Sequence, residues 1–349
     1  MKKKVPKSYI LDIMDIDIDQ KLFRDNNQAY YFSSRFLPKS AREDVSKLYG
    51  FLNLTRDYSK NKDLHKIFFK LVKLYENAVS DHTFETISHS WDDTDTRIIK
   101  NIVHLQYKYK FDQTWVETYF KTLEKDKEND FYNNLDQVLK YVSGTAEVIG
   151  LMIAKILDLP EEVNKYVEAQ SRATAWINFI NHIAEDSLRD KCYFPTDELK
   201  KYNLEDLKEE TIKLNTESYK KFIQFQLSRY KKWQAEALRG IKFIPERYQV
   251  AIRTTISMDD WIAKKIEKNP EIIYQKDLIP RRQRIIRQVI KNTAKGTARV
   301  TVRTTKKVSS GVKNVKPATK AVVPKIKQAP KVAKEKVKEL TDKYIETED

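Results

Sequence analysis

The 349-residue sequence contains a single cysteine, Cys192, and only six glycines. One thiol cannot form an internal disulfide, and no group of cysteines and histidines has the spacing of a zinc site, so disulfide scaffolds and structural zinc modules are excluded. The longest apolar stretch, residues 148–159, is interrupted by Lys155 and Asp158 and is shorter than the roughly 18 to 20 residues of a membrane span. We expect no transmembrane helix, and a fold that depends on an apolar core in a reducing compartment.

The N-terminal segment lacks the apolar region of a secretory signal peptide. Its basic start, residues 1–7, is followed by Asp12, Asp15, Asp17 and Asp19, where a signal peptide would be apolar. We therefore predict a cytoplasmic protein, which is peripheral to a membrane if its basic tail binds one.

Charge is distributed unevenly along the chain. Residues 281–349 contain 20 Lys or Arg and 6 Asp or Glu, so they carry +14 of the formal net charge of +16. The same segment has one aromatic residue, Tyr344, whereas 11% of the whole chain is aromatic. We predict three regions: an N-terminal extension over 1–19, a nearly neutral globular domain over 20–280 and a Lys-rich, low-complexity tail over 281–349.

The tail has too few apolar residues to offset the entropy of ordering it. We predict that it is mostly disordered, with one candidate helix over 331–344. A basic tail of this kind can be a solubilising appendage, can bind an anionic membrane surface, or can bind nucleic acid. Nucleic acid is the least favoured of these partners, because no stacking aromatic residues accompany the lysines.

The body of the chain has the pattern of an all-α protein. Apolar residues recur every three to four positions, and alternating strand patterns are scarce. Long helices in one nearly neutral domain indicate a helical bundle, in which functional side chains face the interior. The pattern predicts helices over residues 41–58, 64–79, 96–107, 113–123, 133–157, 161–187, 207–237 and 244–267.

Three stretches of the body carry distinctive sequence patterns. The first combines an aromatic run, a Leu-Pro pair, a basic helix start and a Tyr-Gly-Phe segment. The second starts with tyrosine and ends in Gly-Leu-Met, and the third leads from an asparagine to a Pro-Thr-Asp-Glu-Leu ending. These stretches are residues 30–38 (YYFSSRFLP) with Arg42 and residues 48–51 (LYGF), residues 141–152 (YVSGTAEVIGLM), and residues 178–199, which end in KCYFPTDEL.

In order and spacing, these stretches resemble the signature segments of the squalene/phytoene synthase family, over about residues 25–280. The resemblance implies an all-α bundle of the isoprenoid-synthase type. It also implies a head-to-head condensation of two prenyl diphosphates of the farnesyl or geranylgeranyl type, which gives squalene- or phytoene-like hydrocarbons. Members of the family that reduce their product use a nicotinamide cofactor, but no motif indicates NADPH here.

The resemblance further implies a divalent metal ion. In the family, magnesium held by carboxylates on two facing helices neutralises the leaving diphosphate while an allylic cation forms. Mg²⁺, or Mn²⁺ in its place, is therefore the expected cofactor, bound weakly or not at all because the aspartate motifs are altered in this chain.

The first aspartate motif departs from the family pattern. Its Asp-x-x-x-Asp falls on residues 56–60 (RDYSK), so Arg56 and Lys60 replace the two outer aspartates. Two interpretations stay open. Arg56 and Lys60 can bind the diphosphate directly as fixed cations, with Arg42 and Lys191 beside them. Alternatively, they form a solvated or ion-paired helix face of a vestigial site.

The second aspartate motif matches only in part, because its aspartates fall on His182 and Asp186. Asn178, His182 and Asp186 follow one another at intervals of four and so share one helix face. They can hold one divalent ion through two oxygens and an imidazole, although magnesium prefers oxygen ligands and histidine favours a transition metal. The alternative for His182 is an ordinary hydrogen-bonded helix residue.

Tyr141 aligns with the signature tyrosine, to which the family assigns proton transfer and cation stabilisation. Its alternative interpretation is a packed tyrosine in a long helix. Glu147 replaces a small residue of the same signature, and we expect its carboxylate to narrow or repolarise the prenyl channel.

The sequence therefore predicts a squalene/phytoene-synthase-like prenyltransferase acting on prenyl diphosphates. The alternative is a catalytically inactive relative that binds prenyl diphosphates or acts as an assembly protein at a membrane. That alternative rests on Arg56 and Lys60, which reverse the charge of two metal ligands. No protein partner follows from the residues.

Overall fold

The computed structural model describes residues 19–25, 27–80, 94–127, 130–276, 278–281, 283–285, 287–289, 291 and 292. Most of the predicted N-terminal extension and nearly all of the tail, including the candidate helix over 331–344, lie outside the described residues. Within the described ranges, every helix is too short or too polar to cross a membrane.

The predicted all-α fold is confirmed. Residues 19–25 are helical, and the helices that follow pack into a bundle. These are α1 (Gln28–Ser34), α2 (Lys39–Lys60), α3 (His65–Ser80), α4 (Thr94–Tyr109), α5 (Gln113–Asp126), α6 (Leu135–Val142), α7 (Val148–Ile156), α8 (Asn164–Asn181), α9 (Ile183–Ser187), α10 (Thr196–Lys201), α11 (Glu209–Leu214), α12 (Thr216–Arg239) and α13 (Glu246–Lys268).

Two apolar cores hold the bundle together. In the first, α2 packs against α3, α4 and α5, and the ring of Phe51 meets Phe120 edge-on at 5.5 Å. In the second, α8 packs extensively along α12, and Phe194 contacts Trp176 at 5.7 Å and Phe222 at 5.5 Å. Such edge-to-face contacts between large buried rings stabilise a core beyond the apolar area that they bury.

Two short strands, which the sequence pattern does not predict, lie beside the second core. The strand β1 (Phe131–Tyr132) pairs in parallel with β2 (Cys192–Pro195). The pair joins the chain just after α5 to the chain just before α10, and it is too short to show an alternating pattern in the sequence. The strand pair places Tyr193 beside the C-terminal end of α5.

Two of the predicted long helices are interrupted where the site lies. The helix predicted over 133–157 contains a π turn at Ser143–Glu147 between α6 and α7, a feature that is frequent at functional sites. Gly144 in this turn is packed so tightly that a β-carbon there would clash with the hydroxyl oxygen of Thr122. The helix predicted over 161–187 breaks at His182, whose φ of −102° and ψ of 11° separate α8 from α9.

A buried ion pair fixes α10 to α12. Glu198, which belongs to the Pro-Thr-Asp-Glu-Leu ending, accepts hydrogen bonds from both terminal nitrogens of Arg229, at 2.6 Å and 3.0 Å. The Nε2 atom of Gln226 donates a third bond to the same carboxylate at 2.9 Å. The Arg229 guanidinium also lies over the Trp176 ring, 5.0 Å from its centre. The signature segment is thus anchored to the core that carries α8.

We expect Arg229→Met to lower the free energy of unfolding by about 3–5 kcal/mol, because the substitution leaves the Glu198 carboxylate buried without its partner. Urea denaturation followed by circular dichroism measures this. Lys231→Met is the matched control, since Lys231 pairs with Glu267 on the surface and such pairs contribute about 0–1 kcal/mol. Equal unfolding midpoints for the two variants would show that the buried pair is dispensable.

Candidate functional site

The bundle encloses a cavity of about 590 Å³. Most of its wall is apolar and comes from α7, α8 and the segment between them. One end of the cavity is polar and is formed by α2, α8 and α9. A large apolar chamber with a few polar groups at one end suits a long hydrocarbon that carries a charged head group. The apolar wall includes Ile149, Ile153, Leu157, Leu159, Val163 and Val167.

Arg56 lies at the polar end of the cavity, surrounded by tyrosines. Burial by itself would lower the pKa of Arg56, but the tyrosine hydroxyl groups around it outweigh that effect and raise the pKa. Arg56 therefore stays charged. Within the described ranges it forms no ion pair with a carboxylate. The surrounding tyrosines are Tyr49, Tyr119, Tyr141 and Tyr193.

Lys60 lies one turn further along α2, at the same end of the cavity. Burial and repulsion from Arg56 lower the pKa of Lys60, whereas the charge of Asp186 opposes that shift. No carboxylate of the described residues forms an ion pair with the Lys60 ammonium group, although the charges of Asp186 and Glu185 act on it. Arg56 is half-buried and Lys60 is exposed. Both side chains line the cavity, and both interpretations, direct binding of the diphosphate and a solvated helix face, stay open.

The residues predicted to bind a metal ion face Lys60 from the other side of the cavity. Asn178, His182 and Asp186 all line its polar end. Burial raises the pKa of the Asp186 carboxyl, and the nearby Lys60 opposes that shift. The Nδ1 atom of His182 lies 3.1 Å from the Glu185 carboxylate, on the helix α9 that follows it. The structure thus brings the positions of both aspartate motifs to one place.

The donor groups at this end do not fit a magnesium cluster shared between two helices. On α2 the two positions that would supply carboxylates carry Arg56 and Lys60, and Lys60 already acts on Asp186 electrostatically. In the part of the chain that the structure describes, no group of three His, Cys, Asp or Glu side chains is arranged to hold a metal ion. Asn178, His182 and Asp186 remain as one side of a site, and their ligation of a single divalent ion stays a prediction.

Tyr141 lies at the polar end of the cavity, in contact with aromatic side chains. Its ring stacks on Tyr193 with the ring centres 5.1 Å apart. Tyr193 donates its own hydroxyl proton to Asp126 at 3.1 Å. Burial raises the pKa of both tyrosines, and Asp126 raises both further. Each hydroxyl is therefore protonated at neutral pH.

Lys191 is not among the residues that line the cavity. Its ammonium group pairs with Asp126 at 3.0 Å and also donates to the backbone carbonyl of that residue. Asp126 accepts a further bond from the Tyr132 hydroxyl at 2.8 Å. Lys191 therefore neutralises the Asp126 carboxylate, which also accepts a hydrogen bond from Tyr193, and does not lie beside Arg56 in the cavity.

Arg42 and Glu147 also lie apart from the cavity wall. Arg42 is half-buried in the first turn of α2, far along the helix from Lys60. Glu147 is buried in the π turn and forms an ion pair with Arg172. Because that pair neutralises the carboxylate behind the wall, the expected narrowing or repolarising of the channel by Glu147 is not observed.

Two carboxylates at or behind the cavity wall, Asp259 and Asp126, were not among the residues predicted from the sequence. Asp259 on α13 is 5% exposed and lines the apolar part, where Thr174 donates a hydrogen bond to it at 2.7 Å. The signal was present in the sequence, because Asp259 falls on the apolar face of α13 with Ile252 and Ile262. Asp126, which lies behind Tyr193 and outside the cavity wall, had no such signal, since it falls within the charged run 124–128 (EKDKE), which is typical of a solvated helix terminus.

Comparison with known proteins shows similarity to one protein family. A family model described as squalene/phytoene synthase matches residues 23–287. The 15-cis-phytoene synthase of Synechococcus elongatus is 19% identical over 264 residues, which cover 71% of this chain and 82% of that protein. Phytoene synthase 1 of Zea mays is 25% identical over 155 residues, and the match covers 42% of this chain but only 37% of the maize protein.

Solved structures share the fold. The squalene synthase HpnC from Alicyclobacillus acidocaldarius superposes with a TM-score of 0.61 at 15% identity, covering 76% of this chain and 96% of that one. A dehydrosqualene synthase solved with a ligand gives a TM-score of 0.63 at 12% identity, covering 80% and 96% of the two chains. At such low identity these structures establish the architecture of the bundle and not the reaction.

Proposed function

The chain belongs to the squalene/phytoene synthase family, and from that premise we propose that it is a prenyltransferase that condenses two prenyl diphosphates head to head. One observation carries the proposal: an apolar cavity of about 590 Å³ ends at two cations, Arg56 and Lys60, that have no anionic partner in the described residues. The apolar part fits the prenyl chains and the cationic end fits the diphosphate.

In this proposal, Arg56 and Lys60 replace the metal ions that bind the diphosphate in other members of the family. A guanidinium group can donate two parallel hydrogen bonds to phosphate oxygens, and an ammonium group adds a compact positive charge. These fixed charges stabilise the negative charge that develops on the leaving diphosphate. Arg42 and Lys191, which lie outside the cavity wall, have no part in this assignment.

Family members use divalent metal ions. Since α2 presents cations, we assign no step of the reaction to a metal cluster in this chain. A single Mg²⁺ or Mn²⁺ on Asn178 and Asp186 would supply further positive charge for the diphosphate. Binding of the metal alone, measured by calorimetry with Asp186→Asn as the comparison, tests that prediction without any turnover.

We assign proton transfer in the first condensation to Tyr141. Its hydroxyl group lies at the same end of the cavity as Arg56, and its ring stacks on Tyr193, whose hydroxyl donates to Asp126. The ring face is also available to an adjacent carbocation, to which aromatic rings are attracted. The proposed proton carrier, Tyr141, thus lies at the same end of the cavity as Arg56, the cation proposed to bind the diphosphate.

The proposed function is tested by incubating the purified full-length protein with labelled farnesyl or geranylgeranyl diphosphate, with and without Mg²⁺ and Mn²⁺. We expect release of pyrophosphate and an extractable hydrocarbon of thirty or forty carbons. Binding of the label without either product would instead support the second candidate function, a prenyl-diphosphate-binding protein. That alternative is favoured by the same charge reversal at Arg56 and Lys60, which removes two metal ligands.

A further inference from the structure

A second polar cluster lies in the cavity, within the apolar part of its wall. Asp259 from α13 accepts a hydrogen bond through Oδ2 from the hydroxyl of Thr174, at 2.7 Å. The amide of Gln170 donates to the oxygen of Thr174 at 3.1 Å. Tyr30 from α1 lies beside Thr174, and all four residues line the cavity. Three helices therefore bring polar groups to one point.

Several polar atoms of this cluster have no hydrogen-bond partner among the described residues. The Tyr30 hydroxyl and the Oε1 atom of Gln170 are buried, and neither forms a hydrogen bond of normal geometry with another described group. Oδ1 of Asp259 likewise has no hydrogen-bond donor in the described ranges. Burying a carboxylate and leaving polar atoms unpaired is costly unless a ligand or a reaction uses them. A structural role alone would have completed these bonds.

The cluster is close to the cationic end but distinct from it. The charges of Arg56 and Asp259 both act on the hydroxyl of Tyr49, whose ring contacts Tyr30 with the ring centres 6.0 Å apart. The carboxylates that line the cavity in the described ranges are those of Glu185, Asp186 and Asp259. The first two lie with Lys60 at the diphosphate end. Asp259 is therefore the lining carboxylate that belongs to the apolar part of the cavity and not to the diphosphate end.

We propose that Asp259 is the catalytic base that ends the reaction, a proposal that rests on the prenyltransferase function given above. Loss of the diphosphate leaves a carbocation in the cavity. A C–H bond next to the cationic carbon breaks, and its electron pair forms a C=C bond that cancels the positive charge. The proton goes to Oδ1 of Asp259. The product is a neutral polyene, and no reductant is consumed.

The environment of Asp259 suits this task. Burial raises the pKa of its carboxyl to about 7, with a further contribution from Asp260, while the hydrogen bond from Thr174 acts in the opposite direction. A base with a pKa near the working pH accepts a proton more effectively than an ordinary carboxylate. The other titratable groups facing it are hydroxyls of Tyr30, Tyr49 and Tyr230, whose pKa values burial raises, so they do not titrate near neutrality.

The test compares the wild-type protein with Asp259→Asn, an isosteric variant that can still accept the bond from Thr174. We expect pyrophosphate release to be retained while the yield of polyene falls about 100-fold and an alcohol formed by water capture replaces it. Glu267→Gln is the matched control, since this exposed carboxylate lies on the same helix and does not line the cavity. In the wild type, the ratio of polyene to alcohol should fall as the pH drops below about 7, because Asp259 becomes protonated.

The outcomes separate the two proposals. If the wild-type protein forms polyene and Asp259→Asn forms it equally well, with the same pH profile, Asp259 is not the base and the prenyltransferase function stands. If the wild-type protein releases no pyrophosphate from any prenyl diphosphate, the function and the inference that rests on it both fail. An NADPH-dependent product with a C–H bond at the cationic carbon in place of the new C=C bond would also overturn the proposal, because a hydride and not a base would then end the reaction.

Discussion

Replacing Arg56 by glutamine should weaken the binding of a prenyl diphosphate by about 100-fold, or about 2.7 kcal/mol. The glutamine amide can still donate one hydrogen bond, so one charge-assisted bond to the diphosphate is lost, and such a bond typically contributes about 1.5–3 kcal/mol. The full effect is expected because no carboxylate of the described residues shares the charge of Arg56. Calorimetric titration with a non-reacting thiolo-diphosphate analogue of farnesyl diphosphate, without metal, measures the change.

Two further variants locate the effect of Arg56. Arg239→Gln removes the same charge from an exposed pair with Glu236 and should leave affinity unchanged. Arg56→Lys keeps the charge but loses the two-pronged geometry, so it should restore only part of the affinity. If Arg56→Gln and Arg239→Gln bind the analogue equally well, the diphosphate is not held by Arg56 and the proposed function loses its main support.

Tyr141→Phe should lower the rate of product formation by about 100- to 1,000-fold, the range in which a positioned proton donor or acceptor contributes. The substitution removes the hydroxyl from the polar end of the cavity but retains the ring stacked on Tyr193. Affinity for the thiolo-diphosphate analogue should therefore stay close to that of the wild type. Single-turnover product analysis and analogue binding, measured on the same samples, separate the two effects.

The control for Tyr141 is Tyr274→Phe. Tyr274 also donates a buried hydrogen bond, to the carbonyl oxygen of Leu207 at 2.6 Å, but it does not line the cavity. We expect this variant to lose some stability and to keep its rate. A loss of analogue binding in Tyr141→Phe with an unchanged rate would contradict the assignment, since it would indicate that Tyr141 only packs against the substrate.

The helical part of the fold was predictable because helical periodicity is local. The prediction over 41–58 agrees with α2, and the prediction over 244–267 agrees with α13, to within two residues at each end. The π turn and the break at His182 were missed. At both places the apolar pattern continues through the interruption, since a single turn of altered geometry barely changes the spacing of apolar residues.

The candidate site was predictable where a motif carried it. The resemblance placed Arg56, Lys60, Tyr141 and Asp186 at one site, and the structure brings all four to the polar end of one cavity. Lys191 was matched by position in the motif alone. Whether it stands free or pairs with Asp126 depends on a contact between residues 65 apart in the chain, about which the motif contains no information.

By itself, the sequence determined the all-α bundle, the order of the signature segments and the charge reversal on α2. The tertiary structure decided that Lys191 neutralises Asp126, that Glu147 is paired behind the wall, and that Asp259 enters the cavity beside Thr174, 85 residues earlier in the chain. Periodicity and motifs depend on near neighbours in the chain. The direction in which a side chain points, and the partner that it meets, depend on how distant helices pack.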